Sequence, residues 1–121
     1  MQGLHLTGDL FDCRCPQQRL TDMASLREYC LEAVQSAGLT PVNELFHTFP
    51  GSAGITAVVL LAESHMAVHT WPEKQGVTLD IYVCNFGADN SAKAHALLDV
   101  MLTFFNPTRS RLQGVQRGEE A

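Results

Sequence analysis

The stretch ESHMAVHTWPEKQGVTLDIYVC, residues 63–84, contains two short runs in which apolar and polar side chains alternate. Neighbouring side chains of a β-strand point to opposite faces, so such alternation is typical of strands with one buried face. The first run, 64–71, puts Met66 and Val68 on one face and two histidines and a tryptophan on the other. The second run, 77–84, has an aliphatic and a polar face. The proline and glycine between them indicate a turn, so the stretch predicts a β-hairpin.

The hairpin also predicts which residues face each other. The register that matches the two aliphatic faces and leaves the tightest turn places His65 opposite Cys84 and His69 opposite Asp80. Directly opposed residues have Cβ atoms about 4.5–5.5 Å apart. We therefore expect the Asp80 carboxylate to orient the His69 ring.

The flanking segments extend this hairpin into a mixed pattern of helices and strands. Apolar residues recur every two positions in some segments and every three or four in others. The predicted elements are a strand at 4–11 with a bulge at Gly8, a helix from Thr21 or Asp22 to Gly38, strands at 39–49 and 55–61, the hairpin, and a helix from Asp89 or Asn90 to Asn106.

This order predicts an α+β fold, a two-layer sandwich with two helices on one face of an antiparallel sheet. The opposite face, which carries His65, His69 and Trp71, is expected to stay uncovered. The tail from Thr108 is polar, and we expect at most a short strand there and then fraying.

The composition describes one globular domain, 1–121. Of the 121 residues, 45% are hydrophobic and 17% are charged, which excludes a disordered chain. The net charge of −5 argues against nucleic acid as a partner. The sequence shows no signal peptide and no apolar run of membrane-spanning length, so we expect a cytoplasmic protein with no membrane partner. The cysteines lack CxxC spacing and are expected to be free thiols.

Residues 63–73, ESHMAVHTWPE, resemble the self-cleavage segment of the prokaryotic S-adenosylmethionine decarboxylase proenzyme family, whose members are pyruvoyl-dependent. Gly3–Leu6 and Leu79–Cys84 lie where that family has similar strings. The resemblance implies an autocatalytic zymogen, a carboxy-lyase whose product is the aminopropyl donor for spermidine synthesis.

The resemblance further implies how the active enzyme arises. The Ser64 hydroxyl attacks the Glu63 carbonyl, and the chain separates into 1–63 (β chain) and 64–121 (α chain). Ser64 becomes a covalent pyruvoyl group, which forms a Schiff base with the substrate amine and takes the place of pyridoxal phosphate as an electron sink. We expect no pyridoxal phosphate.

Two further residues receive catalytic roles. His69 is the candidate base that removes the Ser64 Cα proton during processing, because imidazole changes protonation near neutral pH. Cys84 is the candidate proton donor after decarboxylation, because an ordinary thiol keeps its proton at neutral pH. The resemblance implies both roles. His65 is either a supporting residue of the site or a polar neighbour of the cleavage point.

The substrate is expected to be held by aromatic and acidic side chains. Phe46, Phe49 and Trp71 offer π faces to an adenine or a sulfonium cation, and Glu73 can accept hydrogen bonds from ribose hydroxyls. These rings suit a core or an interface equally well. The resemblance also implies a homodimer of processed protomers with sites between them.

Two alternative functions stay open, and a metal site is disfavoured. Some members of the family decarboxylate ornithine or arginine. A non-enzymatic sheet protein that dimerises through its uncovered face would also fit the pattern. A metal site at His65 and His69 is disfavoured, because residues four apart on a strand are about 13 Å apart, too far for one ion.

The chain departs from the family at two places. The family usually has a glycine soon after the catalytic cysteine, whereas Cys84 is followed by Asn85, Phe86 and Gly87. Residues 74–76 lack the aromatic residues that relatives often carry. Neither change affects Ser64 or His69.

Overall fold

The computed structural model describes residues 1–85 and 87–119. Within these ranges the chain forms one six-stranded antiparallel sheet in the order β2-β3-β4-β5-β1-β6. None of the helices in these ranges is long and apolar enough to cross a membrane. The elements are β1 (Gln2–Cys13), α1 (Gln18–Thr21), α2 (Met23–Ser36), β2 (Pro41–Thr48), β3 (Ile55–Leu61), β4 (Ser64–Trp71), β5 (Gly76–Cys84), α3 (Ser91–Phe105) and β6 (Pro107–Gly118).

The alternation in the sequence becomes the two faces of this sheet. Met66 and Val68 of β4 are buried, as are the aliphatic residues of β5 and every second residue of β3. Helices α2 and α3 cover this buried face, with Leu26 and Leu97 fully buried. The opposite face carries the polar residues and has no helix over it among the described elements. The predicted two-layer α+β sandwich is confirmed.

Residues at the ends of α2 and α3 explain where these helices begin or end. Asp22 precedes α2, and its carboxylate accepts a hydrogen bond from the Ser25 N–H at 3.3 Å. This bond lowers the pKa of Asp22. Gly38 follows α2 with a φ of 85°, which favours glycine. At the end of α3, Asn106 takes a φ of 48°, and Pro107 then begins β6.

The predicted register of the hairpin is wrong by two residues. His65 lies opposite Tyr82, and His69 lies opposite Thr78. Strand β4 ends at Trp71 as predicted, but β5 begins one residue early, at Gly76, and Trp71 pairs with Gly76. The short 3₁₀ turn that begins at Pro72 closes this connection, 72–75, which is one residue shorter than expected. A shift of two residues keeps every side chain on its face, so the prediction of the two faces is confirmed.

Two other predictions are wrong. Gly8 is not a bulge, because it pairs regularly with Leu79 on one side and Leu112 on the other. The tail does not fray after Thr108, because β6 pairs with β1 along most of its length. Arg109 also lies over the Phe11 ring, with its guanidinium carbon 4.2 Å from the ring centre.

Candidate active site

Ser64 follows a two-residue turn between β3 and β4. Leu61 pairs with Ser64 across the hairpin, so Ala62 and Glu63 form the turn. Glu63 has a φ of 56°, a left-handed conformation that costs a residue with a Cβ atom about 1–2 kcal/mol. Ser64 itself is half-buried. The peptide bond between Glu63 and Ser64 therefore lies in an exposed and strained turn.

Cys84 lies beside Ser64 at the end of β5. Its N–H donates a hydrogen bond to the Ser64 Oγ at 3.1 Å. The start of β4 and the end of β5 meet because the two strands are antiparallel neighbours. Ser64 and Cys84, two residues that the sequence singled out, are thus brought together through the Cys84 backbone, although the expected partner of Cys84 was His65.

Two residues after β5 contact this site although the sequence did not predict them as site residues. The Asn90 side-chain amide donates to the Cys84 carbonyl at 2.9 Å, and the Asn90 N–H donates to the Asn85 side-chain oxygen at 2.8 Å. The only sequence signal for this contact is an asparagine just before a helix, which normally predicts a cap and not a contact with a strand.

His69 lies away from Ser64 in the same chain. The two residues are five positions apart on β4, about 16 Å at 3.3 Å per residue. His69 Nδ1 instead forms a hydrogen bond with the Thr56 hydroxyl at 3.1 Å. The expected pairing of Asp80 with His69 is wrong. Asp80 accepts a hydrogen bond from His5 Nε2 at 3.1 Å, because the true register moves it opposite Ala67.

His69 lines a cavity of about 270 Å³ on the uncovered face, together with Phe49, Trp71 and Glu73. Phe49 and Trp71 are 46% and 47% exposed, so their rings are available to a ligand. Phe46 is not part of this group. It lies opposite Ala57 on the helix-covered face and packs against the core.

Tyr82 forms the centre of the uncovered face next to Cys84. Its ring centre lies 5.8 Å from that of His65 and 6.3 Å from that of His5. Gly3 provides the necessary room, because a Cβ atom there would lie 2.8 Å from the Tyr82 hydroxyl. The string Gly3–Leu6 therefore packs against this tyrosine through Gly3 and His5.

The remaining metal-binding and thiol groups do not extend the site. Among residues 1–85 and 87–119, no three His, Cys, Asp or Glu side chains converge as a metal site requires. The four cysteines are free. Burial raises the pKa of Cys30 to about 12. Burial is also the largest cause of the raised pKa of Cys13, which is about 11. Both thiols are therefore poor nucleophiles at neutral pH.

Three comparisons with known proteins agree with this geometry. The sequence profile of the S-adenosylmethionine decarboxylase family matches residues 4–118. The S-adenosylmethionine decarboxylase proenzyme of Aquifex aeolicus is 36% identical over 116 residues, which cover 96% of this chain and 81% of that protein. The corresponding proenzyme of Pseudomonas aeruginosa is 38% identical over 95 residues, 78% of this chain and 58% of that protein.

An arginine decarboxylase is about as similar. The arginine decarboxylase proenzyme of Aeropyrum pernix is 37% identical over 119 residues, 98% of this chain and 86% of that protein. The crystal structure of the adenosylmethionine decarboxylase from Aquifex aeolicus VF5 matches this fold with a TM-score of 0.86 and 34% identity, over 98% of this chain and 92% of that one. From its sequence and its fold together, the chain belongs to the S-adenosylmethionine decarboxylase family.

Proposed function

We propose that this protein is a decarboxylase that cleaves itself between Glu63 and Ser64 and carries a pyruvoyl group derived from Ser64. The observation that carries the proposal is the position of Ser64, directly after a left-handed residue and hydrogen-bonded to Cys84. Membership of a family whose relatives are named proenzymes supports the same conclusion.

In the processing reaction, Ser64 Oγ attacks the Glu63 carbonyl carbon, and the peptide C–N bond breaks to give an ester. A base then removes the Ser64 Cα proton, and the Cβ–Oγ bond breaks. Oγ leaves with Glu63 as a carboxylate, and residue 64 becomes dehydroalanine. Addition of water and loss of ammonia leave a ketone at residue 64. The Cys84 N–H already contacts Oγ, so it can stabilise the charge that develops on this oxygen as it leaves.

The residues around Ser64 fit the group that would be formed there. The pyruvoyl group would supply a ketone that captures the substrate amine and a neighbouring carbonyl that accepts electrons as carbon dioxide leaves. Cys84 lies at hydrogen-bonding distance from residue 64, and its thiol is the candidate that returns a proton to the former carboxylate carbon. No pyridoxal phosphate or metal is part of this proposal.

The processing base would come from a second copy of the chain. His69 lies about 16 Å from Ser64 of its own chain, too far to remove its Cα proton. Two copies that pack their uncovered faces together would bring the His69 cavity of one copy to the Ser64 of the other. Exposed apolar side chains on this face support a homodimer: Leu45, Leu60, Trp71 and Val115.

S-adenosylmethionine is the substrate we favour. In the His69 cavity, Phe49 and Trp71 offer stacking surfaces for an adenine, and Glu73 offers an acceptor for ribose hydroxyls. The names of several relatives support this choice. The product would be the aminopropyl donor for spermidine synthesis in the cytoplasm. The similarity to an arginine decarboxylase proenzyme supports arginine as the second candidate.

Mass spectrometry of the purified protein tests self-cleavage. We expect two chains, 1–63 and 64–121, with a pyruvoyl group at the start of the second. The Ser64→Ala variant is expected to stay whole. A wild-type chain that stays intact with a free serine after long incubation would refute the proposal and favour a non-enzymatic dimeric protein.

Release of carbon dioxide tests the substrate. The cleaved enzyme should be assayed separately with S-adenosylmethionine, arginine and ornithine, each labelled in its carboxylate. We expect release from S-adenosylmethionine alone. Release from arginine or ornithine alone would contradict the choice of substrate and leave the self-cleavage mechanism intact.

A further inference from the structure

We propose that Asn90 is a positioning residue that directs the Cys84 thiol, and that self-cleavage makes this contact more important. The inference rests on the proposed function and adds a residue to it. After Cys84 the chain has asparagines at positions 85 and 90, and Asn85 accepts a hydrogen bond from the Asn90 N–H. The Asn90 side chain in turn contacts the end of β5.

Both peptide groups next to Cys84 are held by side chains. On one side, the Cys84 N–H donates to Ser64 Oγ at 3.1 Å. On the other side, the Cys84 carbonyl accepts from the Asn90 amide at 2.9 Å. Because these bonds fix the backbone on either side of the Cys84 Cα atom, they also fix the direction of its Cα–Cβ bond and so limit the thiol to the few positions that rotation about this bond allows.

Self-cleavage removes one of these two bonds. Oγ leaves residue 64 with the Glu63 carboxylate, so the Cys84 N–H loses that acceptor. The pairing of Cys84 with Gly3 in β1 remains, and so does the Asn90 bond. Cys84 begins its role as proton donor at this stage. Asn90 thus stabilises the thiol position in the form of the protein that turns over substrate.

The Asn90 side chain is not needed to cap α3. It occupies the N-cap position, where asparagine commonly bonds to the first turn of a helix, but here it makes no such bond. The Asp89 carboxylate serves the first turn instead and accepts from the Ser91 N–H at 2.9 Å. The Asn85 side chain fixes the Asn90 backbone. The contact with Cys84 is therefore the role that the structure gives to the Asn90 amide.

The Asn90→Ser variant isolates this contact. Serine is an equally good N-cap residue but is too short to reach the Cys84 carbonyl. Asn90→Gln keeps an amide donor and serves as a rescue variant. Asp89→Ala is the matched control, because it removes a helix-end contact in the same loop without touching Cys84. Each variant is examined for its rate of self-cleavage and for the number of turnovers before the enzyme becomes inactive.

The second measurement distinguishes a positioning role from a structural one. When the thiol is misdirected, the proton goes to the carbon of residue 64 instead of the substrate carbon. The substrate nitrogen then stays on residue 64 as the amine of an alanine, and water releases the rest of the substrate as an aldehyde. Mass spectrometry of the 64–121 chain detects this alanine and gives the fraction of enzyme lost through it.

We expect Asn90→Ser to cleave itself within about twofold of the wild-type rate and to lose about tenfold in turnovers per inactivation, the size expected for one hydrogen bond. Asn90→Gln should recover part of this loss, and Asp89→Ala should resemble the wild type. Equal turnovers in Asn90→Ser and wild type, or a parallel loss of self-cleavage, would overturn the inference. A wild-type protein that neither cleaves nor decarboxylates would refute the proposed function before any variant is compared.

Discussion

At the scale of single residues, the left-handed backbone of Glu63 stores strain next to the bond that would break. Glycine adopts this conformation without a steric cost. We expect Glu63→Gly to slow self-cleavage about fivefold, because roughly 1 kcal/mol of strain no longer favours the reaction. Gel analysis of the freshly synthesised chain at successive times measures the rate. Glu63→Ala keeps a Cβ atom and should cleave like the wild type, so equal rates for the glycine and alanine variants would contradict the role of strain.

The buried thiol of Cys30 in α2 makes the stability of the protein depend on pH in the alkaline range. Burial raises its pKa from 9.0 to about 12, so the folded state keeps the proton where the unfolded state loses it. This contribution is complete below pH 9 and disappears as the pH rises towards 12. As the pH rises from 8 to 10, we expect the loss of this contribution to lower the free energy of unfolding by roughly 1.5 kcal/mol.

Urea unfolding at the two pH values, in a Ser64→Ala background that stays a single chain, measures this change. The Cys30→Ala variant is less stable at both pH values, but its loss between them should be smaller by the contribution of the thiol. An equal loss in both proteins would show that Cys30 does not titrate differently on folding.

At the scale of elements, the pattern within a single strand was enough to predict its two faces but not its pairing with a neighbour. The faces of β4 and β5 depend only on alternation within each strand, and both were predicted. The register between them depends on the turn that joins them, and the 3₁₀ turn that begins at Pro72 brings Trp71 opposite Gly76, one residue before the predicted start of β5. Strand β6 was underestimated because its partner, β1, is at the other end of the chain and its own side chains are nearly all exposed.

The same distinction applies to the candidate site. Ser64, His69 and Cys84 were predicted as site residues from a run of residues and a family resemblance, and the structure places Ser64 and Cys84 in contact. The distance of His69 from Ser64 follows from the extended strand between them. Asn90 was missed as a site residue because its contact joins a loop to a strand end. No periodicity in the sequence reports such a contact.

Thr70 of β4 joins helix α1 to the sheet. Its buried hydroxyl donates to the Leu20 carbonyl at 2.7 Å and accepts from the Ile55 N–H at 2.9 Å. Thr70→Val has the same shape but leaves both backbone groups buried without this partner. In the Ser64→Ala background we expect it to lower the free energy of unfolding by roughly 2–4 kcal/mol in urea titrations. Thr78→Val on the uncovered face is the control, and a similar small loss in both variants would contradict this account.

At the scale of the whole molecule, the uncovered face should join two copies. Leu60 on this face and Leu112 on the other are 45% and 44% exposed, which makes them a matched pair. We expect Leu60→Glu to yield a monomer by light scattering and to abolish self-cleavage, because a charge would be buried in the interface. Leu112→Glu should remain dimeric and cleave. Dimers in both variants would place the contact elsewhere.

Coexpression of two inactive variants tests whether His69 acts on its neighbour. A Ser64→Ala chain keeps a normal His69, and a His69→Ala chain keeps a normal Ser64. In a mixed dimer the first chain should supply the base that cleaves the second. We expect the His69→Ala chain to be cleaved when coexpressed and to stay whole when expressed alone. No cleavage in the coexpressed sample would mean that His69 acts within its own chain.

The order of strands determines what becomes of the two pieces after cleavage. Strands β1, β2 and β3 belong to residues 1–63, and β4, β5 and β6 belong to residues 64–121. In the sheet, β1 lies between β5 and β6, and β4 and β5 lie between β3 and β1, so strands of the two pieces are interleaved. The pieces can separate only if the sheet itself comes apart. Once apart, they would have to meet again as two molecules, so reassembly would depend on concentration and would fail on dilution. The recovery of activity after unfolding would then fall as the protein is diluted, whereas an uncleaved single chain would refold equally well at any dilution.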